Sequence, residues 1–475
     1  MRRLALIATT AVLCAGLTGF AALERSGGAS SPPPSDAVPG QSSDTGSGTG
    51  SGTGPGPDSG PVSGTQAAPL SVDAIVAKLQ STLRAQPNDA SSWAQLGSEY
   101  VEQARLDVDP TLYPKSEAAL RKSLALQPRH NTAALTGMAG LANARHQFAQ
   151  ARTWADKAIS DDPYAWAPYG ALNDALTQLG EDSAAQDAVQ RMLDLHPSTA
   201  SFTRASYTFE LHGRTADAEQ ALRRALQDAT TAADQAFCHH YLGELAFNTG
   251  KTREALREYR TALALDPTYT ASLAGAARAE AALGRTDQAV ADYRTAIDRV
   301  PQPQYVLEFG ELLESLGRAP EARAQYGVLE AEQRLFAANG VVDDLNLGQY
   351  QADHGDADLA VKLLSAEWDR RHSVLVADAL SWALHRAGRD GDALPLAEQA
   401  NRLGWRDALL RYHRGVIEQS LGDDEAARTD LAGALAANPA FSPLYAPDAR
   451  ARLTALQKDQ KEPAAQPPQG RRGQR

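Results

Sequence analysis

The 475-residue sequence predicts an all-α fold, a solenoid of stacked helix-turn-helix units, on three observations. Prolines recur at a fixed interval: Pro128, Pro163 and Pro197 lie 35 and 34 residues apart, and Pro267 and Pro301 again 34. Turn glycines fall between them at Gly180, Gly213, Gly250, Gly284, Gly317, Gly355, Gly388 and Gly422, each followed five residues later by an alanine. The composition is 43% hydrophobic but only 6% aromatic, with alanine and leucine dominant, and both residues lose little side-chain entropy in a helix.

Taken in chain order, residues 1–25 read as a targeting segment. Arg2 and Arg3 precede twenty uncharged residues, Leu4 to Leu23, which end at Glu24. That length suits a bilayer span, and Gly19-Phe20-Ala21 suits a cleavage site, so an uncleaved anchor and a removed signal peptide both stay open. Either one exports the rest of the chain, because the two arginines hold the N-terminus inside. Residues 26–69 are rich in serine, glycine, proline and threonine and too poor in apolar side chains to offset ordering, which predicts a disordered tether. The solenoid is expected over 70–457, opened by a cap helix at 70–87 and closed by another at 447–458. The polar stretch 458–475 reads as a disordered tail. Cys14 sits in the leader, leaving Cys238 alone in the exported part, so no intrachain disulfide is available there.

The repeat pattern resembles the tetratricopeptide family. In "WAQLGSEY", Trp93, Leu96, Gly97 and Tyr100 look like its first helix, and Leu242, Gly243, Gly250, Ala255, Tyr259, Ala262 and Pro267 supply the rest of the motif. Ten units follow, with first helices starting near 90, 132, 166, 199, 236, 270, 303, 341, 374 and 408. The resemblance implies a right-handed α-solenoid in which each pair buries its apolar face only against its neighbours. Gly97, Gly243, Gly310, Gly348 and Gly415 are the small residues that let paired helices approach. Two stretches depart from the pattern: "LDVDPTLYP" at 106–114, and 330–340, longer than a normal junction.

The stretch "FCHHYLGELAFNTGKT" at 237–252 mimics two kinds of chemistry. A phosphate-binding loop needs a glycine five residues before Gly250-Lys251, where Leu245 stands. Cys238, His239 and His240 are consecutive on a helix and point about 100° apart, so they cannot converge on one ion. Alignment with Trp93 puts His239 in the packing slot between helices. His240 and Glu244 share a face at i and i+4, but two ligands are too few for a metal site. No metal, cofactor or catalytic residue is assigned, and an enzyme is not expected.

The resemblance implies a concave face, lined by first helices, where partner segments bind. On that face the i, i+3, i+7, i+10 pattern places Phe237, His240, Glu244 and Phe247, with Asn248 beside them. Tyr207, Glu210, Arg278 and Glu311 come from neighbouring units, and Asp378, Trp382 and His385 from the ninth. Aromatic rings among charges suit a protein or peptide ligand, although any one ring serves equally to pack the adjacent unit. The lysine and asparagine clamp that some family members use on a peptide carboxylate is missing: its slots hold Ala94, Ser98, His240 and Glu244. A net charge of -12 with no basic face argues against nucleic acid. The expectation is an exported scaffold, anchored on the outer face of the cell membrane or secreted, that binds a protein or peptide. A hydrolase or transferase acting on an envelope glycan through His240 and Glu244 is the alternative, and an inert spacer the third.

Overall fold

The computed structural model describes residues 71–459, all of them outside the leader and the linker. Of the expected tail only Lys458 and Asp459 fall within it, and they extend the last helix. Among the described residues there are 22 helices and no strand, and no helix is long and apolar enough to cross a membrane.

After the cap helix α1 (Val72–Ala85), ten pairs follow. Units one to five are α2 (Ala90–Asp107) with α3 (Leu112–Leu126), α4 (Thr132–Ala144) with α5 (Phe148–Asp161), α6 (Ala167–Leu179) with α7 (Asp182–Leu195), α8 (Thr199–Leu211) with α9 (Thr215–Asp228), and α10 (Ala232–Asn248) with α11 (Thr252–Leu265). Units six to ten are α12 (Thr270–Ala282) with α13 (Thr286–Arg299), α14 (Pro303–Ser315) with α15 (Ala319–Ala338), α16 (Leu345–His354) with α17 (Ala357–Arg370), α18 (Val374–Arg386) with α19 (Asp390–Asn401), and α20 (Ala408–Ser420) with α21 (Asp424–Ala437). The closing helix is α22 (Tyr445–Asp459).

Local chemistry sets the helix ends. Ser71, Asp89, Asn131, Thr231, Asp356, Ser373, Asp407 and Asp423 accept hydrogen bonds from orphan amides of the turn that follows them. Seven of the expected turn glycines take the left-handed conformation that ends a first helix. Gly355 is the exception at φ -132°, and unit two uses His146 at φ 58° instead of a glycine.

Packing within and between units repeats one device: a large second-helix side chain lies between two glycines. A Cβ at Gly243 would stand 2.6 Å from the Tyr259 ring, and one at Gly275 of the next unit also 2.6 Å. Leu120 is held in the same way between Gly97 and Gly137, at 2.5 and 2.4 Å. Gly310 serves Tyr326, and Gly348 serves Leu364. The expected glycines thus have the expected use, and Tyr259, Leu120 and Leu364 are fully buried as a result.

The irregular stretches have a purpose that the repeat alone does not reveal. Residues 330–338 are not a long junction: α15 is a single helix of 20 residues, and its last turns carry Phe336. Phe336 and Val341 pack in one apolar cluster with Val108, Leu112 and Tyr113 of the 106–114 insertion, joined by Val300. The two departures from the pattern pack on each other.

That contact opens a continuous seam. Val342 N donates to Arg145 O at 3.4 Å, joining the turn of unit two to the junction after unit seven. Arg371 Nη1 donates to Gln178 Oε1 at 2.9 Å, linking unit three to the junction after unit eight. Arg402 Nη2 reaches Asp182 Oδ2 at 2.5 Å, tying α7 to the junction after unit nine. Unit four meets the same junction, where Trp405 Nε1 donates to Glu210 Oε1 at 3.4 Å. Asn438 Nδ2 donates to Phe247 O at 2.9 Å, linking unit five to the junction after unit ten. The superhelix overlaps itself with a register of five units, and its second coil is stacked on its first.

Candidate protein-binding face

The inner surface is built from successive first helices, and its polar groups line up from unit to unit. At its centre Arg278 of α12 donates through Nη2 to Glu244 Oε1 and Oε2 of α10, at 2.7 and 2.6 Å. Its Nη1 reaches Glu308 Oε1 of α14 at 3.4 Å, and its guanidinium lies 4.5 Å over the Phe247 ring. Second helices complete the network from behind: Tyr259 Oη donates to Glu244 Oε1 at 2.6 Å, and Tyr293 Oη to Glu308 Oε2 at 2.9 Å. Burial works to raise the Glu244 carboxyl, but Arg278, His240 and the Tyr259 hydroxyl together hold it below the usual carboxylate range.

One turn further along α14 the balance reverses. Glu311 is half-buried and has no hydrogen bond or ion pair among the described residues. Burial, and then the like charges of Asp353, Glu308 and Glu314, push its carboxyl well above the ordinary value. Arg105 of α2 is paired with Glu102 at 2.6 Å and lies within electrostatic reach of Tyr269 and Tyr241.

The expected groove residues other than Phe237 divide into three groups. Tyr207, Glu210 and Asn248 belong to the seam: Tyr207 meets Trp405 edge-on at 6.5 Å, and Glu210 accepts from Asn248 Nδ2 at 2.9 Å as well as from Trp405. Burial pushes the Glu210 carboxyl up to about 7 against the pull of those two donors. His240, Glu244, Phe247 and Arg278 converge, as the spacing predicted, and Glu311 extends their line. Asp378, Trp382 and His385 form a third group with a residue that the spacing did not select, His413. Its Nδ1 lies 3.0 Å from Asp378 Oδ2, and its ring stacks on Trp382 at 4.2 Å. Trp382 also stacks on His385 at 4.9 Å and donates through Nε1 to Asp353 Oδ1 at 2.7 Å. His385 Nδ1 is 2.6 Å from Asp390 Oδ1.

Exposure corrects the sequence reading. Phe237, Phe247, Trp382 and Asp378 are buried, at 6, 4, 4 and 3% exposure, and are packing elements of the wall, not contact points on it. Phe237 packs with Cys238, Ala225 and Ala229. His240 is also buried; its Nδ1 lies 3.3 Å from Ser272 Oγ among the rings of Tyr241, Tyr259 and Tyr269, and burial lowers its pKa. With His240 enclosed and Glu244 saturated by Arg278 and Tyr259, that pair is not presented to a substrate. His239 is half-buried, and its Nδ1 meets Glu258 Oε2 at 2.7 Å. Cys238 is buried, its thiol pushed up to about 12 by desolvation, which makes it a poor nucleophile. Among the described residues no group of three or more His, Cys, Asp or Glu is placed to hold a metal ion.

Sequence reasoning missed Glu308, Asp353 and His413. Glu308 lies one helical turn from Glu311, and a wider stripe would have included it, whereas Asp353 lies on α16, from which no residue was selected. Tyr259, Tyr293 and Tyr326 carried a visible signal, recurring 34 and 33 residues apart.

The tetratricopeptide repeat family model matches residues 236–269, from α10 to the junction after α11. Among solved structures, the chain is similar to a human IFIT1 dimer with m7Gppp-AAAA, at 16% identity and TM-score 0.44, over 69% of this chain and 76% of that one. It is similar to a tetratricopeptide repeat protein from Parabacteroides merdae at 19% identity and TM-score 0.32, over 55% of this chain and 98% of that one. A third is PilW, a type IV pilus biogenesis factor, at 19% identity and TM-score 0.37, over 42% and 92%. No curated protein matches the chain. With one unit matched directly and ten built on the same helix pair, the chain is a tetratricopeptide-like repeat protein.

Proposed function

We propose that the protein is an exported scaffold of the cell envelope that holds a partner protein on its inner face, over units five to eight. The observation that carries this reading is the Glu311 carboxylate. It stands half-exposed and unpaired among the described residues; burial first, and then the like charges of Asp353, Glu308 and Glu314, push it toward its neutral form. Such a cluster is costly when empty and is relieved by a cation, so the partner segment is one that brings lysine or arginine. Export rests on Arg2, Arg3 and the uncharged stretch behind them, which lie outside the described residues.

A photocrosslinking residue placed at Ser315, exposed and one helical turn from Glu311 on α14, in the full chain and activated in intact cells, tests the partner. A defined protein adduct that is lost when Glu311→Lys is added to the same chain supports the reading. Adducts only to the chain itself count against it. Protease treatment of intact cells tests location separately, since an exported solenoid is digested and an internal one is spared.

A further inference from the structure

The chain's own seam shows what its turns can do. Turns of units two to five are covered by junctions five units on, whereas a Cβ at Gly284, Gly317, Gly388 or Gly422 would meet nothing within 4 Å. The same edge therefore runs on, uncovered, along later units. Its first open stretch lies next to the place where Asn438 caps the Gly250 turn. There, between α11 and the α12–α13 turn, is a cavity of about 250 Å³ lined by Arg253, Leu256, Arg257, Arg260, Leu283 and Arg285.

Leu256 and Leu283 form an apolar floor continuous with the core, and four guanidinium groups make the rim. Arg260 is committed to the buried Glu280. Arg253, Arg257 and Arg285 are exposed and have no carboxylate partner among the described residues. This is a local departure from a pattern. Arginines that follow other turn glycines pair with an acid three residues on: Arg214 with Asp217 at 2.7 Å, Arg318 with Glu321 at 2.7 Å, and Arg389 with Asp392 at 2.8 Å. Three residues after Arg285 stands Gln288, which is turned to Asp292 at 2.8 Å instead. In a chain of net charge -12, three uncompensated guanidinium groups around an apolar floor select an anion that also carries hydrocarbon.

We propose that this pocket docks an acidic segment of a partner protein, one aliphatic side chain filling the floor between Leu256 and Leu283. The segment's carboxylates take the Arg253, Arg257 and Arg285 forks. It crosses the α12–α13 turn as the 437–439 junction crosses the Gly250 turn. The acidic inner face and this basic outer pocket would then bind segments of opposite charge.

The test is a fluorescence-anisotropy titration of the full chain with a labelled Asp-Asp-Leu-Glu-Asp peptide at low and physiological salt. Saturable binding is expected, weaker at the higher salt. Arg257→Glu with Arg285→Glu should lower affinity about tenfold or more, and replacing the peptide leucine by serine should lower it several-fold. Arg257→Lys with Arg285→Lys keeps the charge but not the fork and should bind more weakly than the parent chain yet more tightly than the charge reversal, which separates recognition from misfolding. Glu311→Lys should leave the titration unchanged, so failure here and failure of the inner-face reading are distinguishable. Absence of binding overturns the proposal. Equal binding of the serine peptide or of tripolyphosphate also overturns it, as an unspecific polyanion patch. A dimer in sedimentation equilibrium that the charge reversal dissolves would assign the pocket to a second copy instead, and overturn it likewise.

Discussion

At the scale of the residue, the glycines that face second helices and the glycines that face nothing should respond oppositely to one added methyl. At Gly310 a Cβ would stand 2.1 Å from the Tyr326 ring, and at Gly243 2.6 Å from Tyr259. Gly243→Ala should destabilise by about 1–3 kcal/mol through overpacking. Gly140 lies within α4 with no atom within 4 Å of its added Cβ, so Gly140→Ala should stabilise by about 0.5–1 kcal/mol. Urea unfolding of the two variants decides between steric and purely conformational roles. Glu210 makes a different prediction. Its folded-state pKa of about 7 lies above the ordinary value, so the stability linked to it is whole below ~4.3 and is lost as pH rises through the folded value. Glu210→Gln should therefore raise the melting temperature at pH 8 and leave it unchanged near pH 4. Glu418, also pushed up to about 7 by burial and by Asp430, should keep part of the pH slope. Equal gains at both pH values would show that the carboxyl is not the titrating group. The glycine roles were legible in the sequence because helix spacing alone assigns them. The seam position of Glu210 was not, since its donor Trp405 lies 195 residues away.

At the scale of the element, the repeat was legible almost throughout. Proline spacing and turn glycines placed the first helices, and the sequence signals for α16 were weakest where the pattern is most disturbed. Both irregular stretches were visible as departures, but a local pattern carries no information about what an insertion touches. Val108 and Phe336 meet only because the solenoid curls between them. The extension of α15 is thus a strut, and its apolar end should matter far more than its exposed flank. Phe336→Ala should cost about 3–5 kcal/mol. Arg334, whose side chain is 73% exposed, should tolerate alanine within about 0.5 kcal/mol. Denaturant midpoints of the two variants, two residues apart and so on different faces of α15, check whether its last turns are packed. Similar small losses would mean that the strut contributes little.

At the scale of the whole molecule, the seam changes what kind of object a solenoid is. A row of repeats coupled only to neighbours frays from its ends, because terminal units have a single interface. Here each early unit has a second interface with a unit five further on, so opening one end requires breaking the seam. Arg371 is the most enclosed point of it: 1% exposed, it pairs with Glu367 at 2.5 Å, reaches Gln178 of the other coil, and lies 5.3 Å from the Phe148 ring. Removing it would leave the buried Glu367 with only Arg370 and the Asp344 amide, a loss within its own coil, so stability alone would not isolate the seam. Combining Gln178→Ala, Arg402→Glu and Asn438→Ala cuts three bonds between coils and, apart from the local bond from Ala440 N to Asn438 Oδ1, leaves the helix pairs as they are. If the seam holds the coils together, this variant should show a larger radius of gyration by small-angle scattering. Amide exchange should accelerate in units one to three and eight to ten, while the helix content by circular dichroism stays the same. An unchanged radius and unchanged exchange would mean that nearest-neighbour stacking sets the curvature and the seam merely follows it. The outcome bears on binding as well. An inner face closed by stacked coils admits a partner from the ends or by opening along the seam, so loosening the seam should speed entry of a partner segment even where it lowers stability.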